Sequence, residues 1–189
     1  MTAFDRLLQR RRVDQASRFV ERGAKVLDLG CAEGAFFSRR RDCAPGSMGI
    51  DPVLAADRLT KNGFLLKSGT FPQDMPPDAG GFDAVVMTAV LEHVPTEHLP
   101  AFSEAAARYL RPDGLLILTV PSPRVDKILA ALKRVRLADG LSLEQHHKFV
   151  TAATVRIFSP PRFAFLRHQR FQFGFNNLFV FRRGKGFFA

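Results

Sequence analysis

A run of small residues between two carboxylates carries the strongest chemical signal in the chain. Val26-Leu27-Asp28-Leu29-Gly30-Cys31-Ala32-Glu33-Gly34 reads as a short apolar strand, a tight turn and the start of a helix. A backbone that turns sharply and admits a close ligand needs small side chains. A helix start presents unpaired N–H groups. Asp51 stands 21 residues beyond Gly30, at the close of a second apolar run. A carboxylate there can accept hydrogen bonds from both hydroxyls of a ribose. Each acid has a plainer role as well: Asp28 as an organiser of the turn, Asp51 as a helix cap before Pro52.

Three histidines could move a proton. His93 lies in Leu91-Glu92-His93-Val94, and His146 and His147 lie in Glu144-Gln145-His146-His147-Lys148-Phe149. A neutral imidazole can deprotonate a hydroxyl or amine nucleophile. The plainer reading, a hydrogen-bonded histidine in the first turn of a helix, is the stronger one for His93, and Glu92 beside it reads as a solvated or capping acid. Adjacent histidines lack the i, i+4 spacing of helical metal ligands. Cys31 has no base near it in sequence and reads as a small filler, not a nucleophile.

Two cofactor classes use a strand–turn–helix of this kind. A dinucleotide site asks for glycine at the first, third and sixth positions of the turn. Those positions hold Gly30, Ala32 and Ala35, so only the first fits. An adenosylmethionine site asks for small residues at the first, third and fifth positions, with an acid two residues ahead. Gly30, Ala32 and Gly34 follow Asp28, so the second template fits better.

The elements that must position these residues follow from periodicity. Phe4, Leu7, Leu8, Ala16, Phe19 and Val20 predict an amphipathic helix over 4–21, closed by Gly23. Apolar runs at 25–30, 48–52, 63–68, 82–87 and 115–120 predict five strands. Residues 33–41, 97–110 and 125–135 read as helices, 71–81 as a Pro- and Gly-rich loop, and 111–114 as a turn. Near-continuous apolar strands alternating with helices indicate a parallel sheet covered on both faces. Residues 163–171 and 177–183 alternate in part between aromatic and polar, which predicts an antiparallel pair at one sheet edge.

Residues 24–121 resemble a class I adenosylmethionine-dependent methyltransferase of the small-molecule, type 11-like group that includes quinone-biosynthesis methyltransferases. The resemblance rests on VLDLGCAEG, then GIDP, then FDAVVMTAVLEHV, then LRPDGLLILTVP, four motifs in order. It implies an α/β doubly wound, mainly parallel seven-stranded sheet of order 3-2-1-4-5-7-6, with strand 7 antiparallel and helices on both faces. It implies a pocket at the switch point in which the turn Gly30, Cys31, Ala32 and Gly34, after Asp28, packs against the methionine part of adenosylmethionine. Asp51 would take the ribose hydroxyls beside Pro52. Backbone groups near Thr70 and the Phe71 side chain would hold adenine, and Thr88 would lie near the methyl group. Arg12, in Arg12-Val13-Asp14, resembles an arginine that reaches the cofactor carboxylate. Ala32 departs from the commoner glycine. A catechol-type metal site would need carboxylates where Thr88 and Ala89 stand, so no metal is expected.

Composition bounds the rest. The 189 residues are 46% apolar and 24% charged, in the globular range. They predict a single domain over 1–189: an N-terminal helix (1–23), a cofactor-binding core (24–121), and an acceptor-side region with the strand pair (122–189). No apolar run approaches the ~18 residues of a membrane helix. The start carries no apolar secretory segment, and Asp5 and Asp14 argue against a transit peptide. Cys31 and Cys43 are too few for a disulfide framework, so a reduced, cytoplasmic protein is expected. The net charge of +10 is uneven: residues 145–189 hold eight basic residues, no acid and eleven of the 19 phenylalanines. That segment reads first as two sheet strands with aromatics inward and arginines in water. Nucleic acid, an acidic membrane surface or a phosphorylated lipid acceptor would exploit the same charge. The functional expectation is methyl transfer to a small organic or lipid-like acceptor. The alternatives are an RNA methyltransferase, a non-catalytic adenosylmethionine-binding protein and, least favoured by the turn spacing, a nicotinamide oxidoreductase.

Overall fold

The computed structural model describes residues 3–122, 151–158 and 160–185. In chain order the elements are α1 (Ala3–Ser17), β1 (Val26–Leu29), α2 (Ala35–Arg39), β2 (Met48–Asp51), β3 (Arg58–Leu59), β4 (Leu65–Ser68), β5 (Phe82–Thr88), α3 (Leu99–Tyr109), β6 (Leu110–Pro121), α4 (Thr151–Ile157), β7 (Phe163–Phe171) and β8 (Asn176–Arg183). The strands form one sheet in the order β3-β4-β2-β1-β5-β6-β8-β7. From β4 through β6 neighbours run parallel. β8 is antiparallel to both β6 and β7. This is the expected order of seven, with the short β3 added antiparallel outside β4. Both residues of β3 are exposed, so no apolar run announced it.

Period-two alternation sorts the strands onto two cores. Val26, Ala84, Val86, Ile117, Leu178 and Val180 share one cluster with Val13 and Ala16 of α1 and Phe36 and Phe37 of α2. Leu27, Leu29, Val85, Met87, Leu116, Leu118, Phe179 and Phe181 share the other with Leu99, Phe102 and Ala106 of α3 and with Phe158. A sheet buried on both faces leaves few polar positions in its central strands, which is why those runs read as near-continuous apolar segments.

Several boundaries move. α1 stops at Ser17, and α2 is confined to Ala35–Arg39 behind a left-handed Gly34 (φ 79°). The expected turn at 111–114 lies inside β6 as a bulge: Phe82 faces Leu110, yet Ala84 already faces Leu115. Asp113, at φ 63°, supplies the extra bend. α4 was not anticipated, since Thr and Val are weak helix formers. Tertiary contacts hold it: the Ser103 hydroxyl donates to the Ile157 carbonyl at 3.3 Å, and Phe158 packs on Phe163 and Phe181. The predicted helix at 125–135, and His146 and His147, fall outside the described residues. In β8, Arg182 faces solvent, but Arg183 is buried and its guanidinium donates to the Leu110 carbonyl, so one arginine of the pair faces inward.

Candidate functional site

The sheet changes direction between β1, whose chain continues to β2 on one side, and β5 on the other. In open α/β sheets ligands bind beyond the carboxyl ends of the strands at such a point. Here the turn 30–34 leaves β1, and the Gly30 N–H donates to the Ile50 carbonyl at 2.9 Å. Asp51, at the end of β2, accepts the Ala32 N–H on Oδ2 at 2.7 Å and the Val53 N–H on Oδ1 at 2.9 Å. One carboxylate therefore fixes the turn to the neighbouring strand, and each oxygen keeps a further lone pair. Gly30 has φ 70°, and a Cβ built on it would lie 2.3 Å from Val90 Cγ2. Only glycine fits between the left-handed backbone and that methyl.

A cleft of about 400 Å³ opens beside the turn, walled by Gly30, Pro52, Thr70, Phe71, Val90 and His93, among others. Phe71 is fixed edge-on against Phe102, with ring centres 5.1 Å apart. The Thr70 N–H donates to Asp74 Oδ2 at 2.7 Å, so that amide is already engaged within the loop. His93 closes a 3-10 turn (Leu91–His93), is exposed, and donates its backbone N–H to the Val90 carbonyl at 2.9 Å.

The remaining residues singled out from sequence stand behind this wall or apart from it. Asp28 is 3% exposed, and burial, reinforced by the charge of Asp51, pushes its carboxyl well above the usual carboxylate range. Cys31 is buried against Gly49, where a Cβ would come within 2.7 Å of its Sγ. Burial, with Asp28 and Asp51 adding to it, raises that thiol far out of the reactive range. Gly34 faces Leu66, where a Cβ would lie 2.9 Å from Cδ1, so its smallness serves the packing of α2 on β4. Thr88 ends β5 opposite Thr119, half-buried and outside the cleft lining.

Two features escaped the sequence. Glu92 is not solvated: it is 2% exposed, its Oε2 has no hydrogen-bond partner among the described residues, and burial pushes its carboxyl up to about 7, with its own backbone and the positive charge of Arg12 pulling the other way. Ala32, in the turn after β1, and Ala89, directly after β5, both hold left-handed conformations, at φ 44° and 62°. An L-residue is strained there, and such strain clusters at ligand sites. The turn template marks Ala32, where glycine is commoner, but no local pattern marks Ala89.

The chain belongs to the methyltransferase-domain family, which matches residues 2–156. Its fold is that of the class I adenosylmethionine-dependent methyltransferases. Among curated relatives it is 30% identical over 145 residues to the ubiquinone biosynthesis O-methyltransferase of Psychrobacter arcticus, covering 69% of this chain and 55% of that one. It is 30% identical over 107 residues to the mitochondrial ubiquinone biosynthesis O-methyltransferase of Mus musculus, covering 51% and 28%. The chain thus spans between about a quarter and just over half the length of these relatives. Among solved structures it superposes on a magnesium protoporphyrin IX methyltransferase from Synechocystis with bound SAH (TM-score 0.67, 20% identity, 95% of this chain, 85% of that one). It also superposes on a 1,6-didemethyltoxoflavin-N1-methyltransferase from Burkholderia thailandensis with bound 1,6-didemethyltoxoflavin and S-adenosylhomocysteine (TM-score 0.67, 15% identity, 95% and 81%).

Proposed function

We propose that this protein is an enzyme that transfers a methyl group from adenosylmethionine to a small organic or lipid-like acceptor. The observation that carries the reading is the Asp51 carboxylate, tied to the Ala32 amide at the switch point beside an open cleft. Its free lone pairs suit the two ribose hydroxyls. The bare Gly30 and a cleft volume within the usual range for small-molecule sites suit the rest of a nucleoside. Pro52, Thr70 and Phe71 border the adenine end. The turn from Gly30 to Gly34, backed by Asp28 and Cys31, supports the methionine end. Arg12 serves its carboxylate, and Thr88 stands on the methyl side.

When bound, adenosylmethionine supplies a methyl group already activated on a sulfonium. The chain's own work is then alignment and exclusion of water, which can contribute about 7–11 kcal/mol in favourable cases. Val90 and Phe71 provide apolar walls for this. A proton on the acceptor needs a base only if its pKa is high, and His93, exposed on the cleft wall, is a candidate to take it. The whole chain acts as one domain. A cytoplasmic site of action fits its two buried, unbridged cysteines.

Calorimetry tests the reading. Adenosylmethionine and its homocysteine product should both bind, and NADH should not. Asp51→Ala should weaken adenosylmethionine by about 1.5–3 kcal/mol, the range for a hydrogen bond to a charged group. Tight NADH binding with no uptake of the other two would overturn it.

A further inference from the structure

We propose that the rim formed by the first half of α1 and the turn between β7 and β8 docks on an anionic lipid bilayer, with the mouth of the cleft facing the membrane. The proposal deepens the lipid-like acceptor reading above.

The turn's position comes from register. Asn176, which opens β8, pairs with Pro121, the last residue of β6, and the Ser122 N–H donates to the Phe175 carbonyl at 2.7 Å. The turn at 172–175 therefore lies on the carboxyl edge of the parallel strands, the edge on which Gly30 and Val90 open the cleft. The Gln172 side-chain amide donates to the Leu8 carbonyl at 3.2 Å, which joins the turn to α1.

What this rim shows to solvent is unusual. Phe173 is 96% exposed, and Leu7 is 51% exposed. Gln172 and Phe173 both sit in left-handed backbone, at φ 51° and 57°, so the turn holds the ring outward at some conformational expense. Around them Arg6, Arg10, Arg11 and Arg170 are exposed and form no ion pair among the described residues. No acidic residue occurs between 145 and 189 to offset Arg170.

An exposed apolar tip set among unpaired cations matches the two layers of a charged bilayer surface: arginines at the headgroups, an aromatic ring below them. Charge complementarity alone would also suit RNA. Stacking on bases, however, favours aromatic platforms along a groove, and this rim offers one ring projecting from a turn.

Flotation of the full chain with vesicles tests the proposal. Wild type should float with phosphatidylcholine vesicles containing phosphatidylglycerol, not with phosphatidylcholine alone, and binding should fall as salt rises. Phe173→Ser should weaken binding about tenfold through the lost ring burial. Arg10→Gln and Arg170→Gln should each weaken it about fivefold. All three variants should keep the wild-type unfolding midpoint and adenosylmethionine affinity. The proposal is overturned by no binding to anionic vesicles, by equal binding to neutral ones, by variants that bind like wild type, or by retention on poly(U) lost in the same variants while vesicles stay unbound. Vesicle binding without adenosylmethionine uptake would instead overturn the methyl-transfer reading and leave the docking surface standing.

Discussion

Ala32 occupies a backbone region that suits glycine, and its strain is local. A left-handed L-residue costs about 1–2 kcal/mol, while glycine adds back about 0.5–1 kcal/mol of unfolded-state entropy. Ala32→Gly should therefore raise stability by up to about 1 kcal/mol in urea denaturation, with cofactor affinity nearly unchanged. Glu92 is the other residue with a measurable signature. Its carboxyl is raised from the ordinary value to about 7 by burial, so the folded state holds a proton that the unfolded state releases. Stability from this group is full below pH ~4.5, falls between pH ~4.5 and ~7, and is flat above, a loss on the order of 3 kcal/mol. Glu92→Gln should flatten that slope in unfolding titrations from pH 5 to 8; an unchanged slope would show that Glu92 is not the group titrating.

At the scale of elements, packing decides what each position tolerates. Gly30→Ala adds a methyl 2.3 Å from Val90 Cγ2 on a left-handed backbone, and should cost about 2–3 kcal/mol of stability together with adenosylmethionine affinity. Val90→Ala in the same chain should recover part of the stability, which a double-mutant cycle would read. Phe179 is fully buried in β8 between the stacked His168 ring (centroids 4.6 Å) and Phe181, so Phe179→Ala should lose about 3–5 kcal/mol. The strands were legible in sequence because doubly buried strands are written as apolar runs, and the β1 turn because its small residues are contiguous. The β6 bulge, α4 and β3 were not, since each is held by partners distant in the chain. The same divide runs through the site. Asp51 could be found by its spacing from Gly30, whereas the buried state of Glu92 and the reach of Val90 over Gly30 exist only once β1 and β5 lie side by side. Gly34, small as the template asks, also makes room for Leu66, a packing demand that no local pattern shows.

Across the whole molecule, two helical layers leave the carboxyl edge of the sheet as the place where backbone turns, the cleft and the arginine-bearing rim converge. Among the described residues no helix is long and apolar enough to cross a membrane. The order of the last strands has a consequence for how the protein is made. β7 leaves the ribosome before β8, yet it reaches the sheet only through β8, which separates it from β6. Order of synthesis and order of assembly are therefore opposed: until Asn176–Arg183 emerge, the β6 flank is open and β7 has no partner. A chain shortened before Asn176 should be cut rapidly within 163–171 by a protease that spares the full-length protein, and a nascent chain at that length is where a chaperone would be needed most.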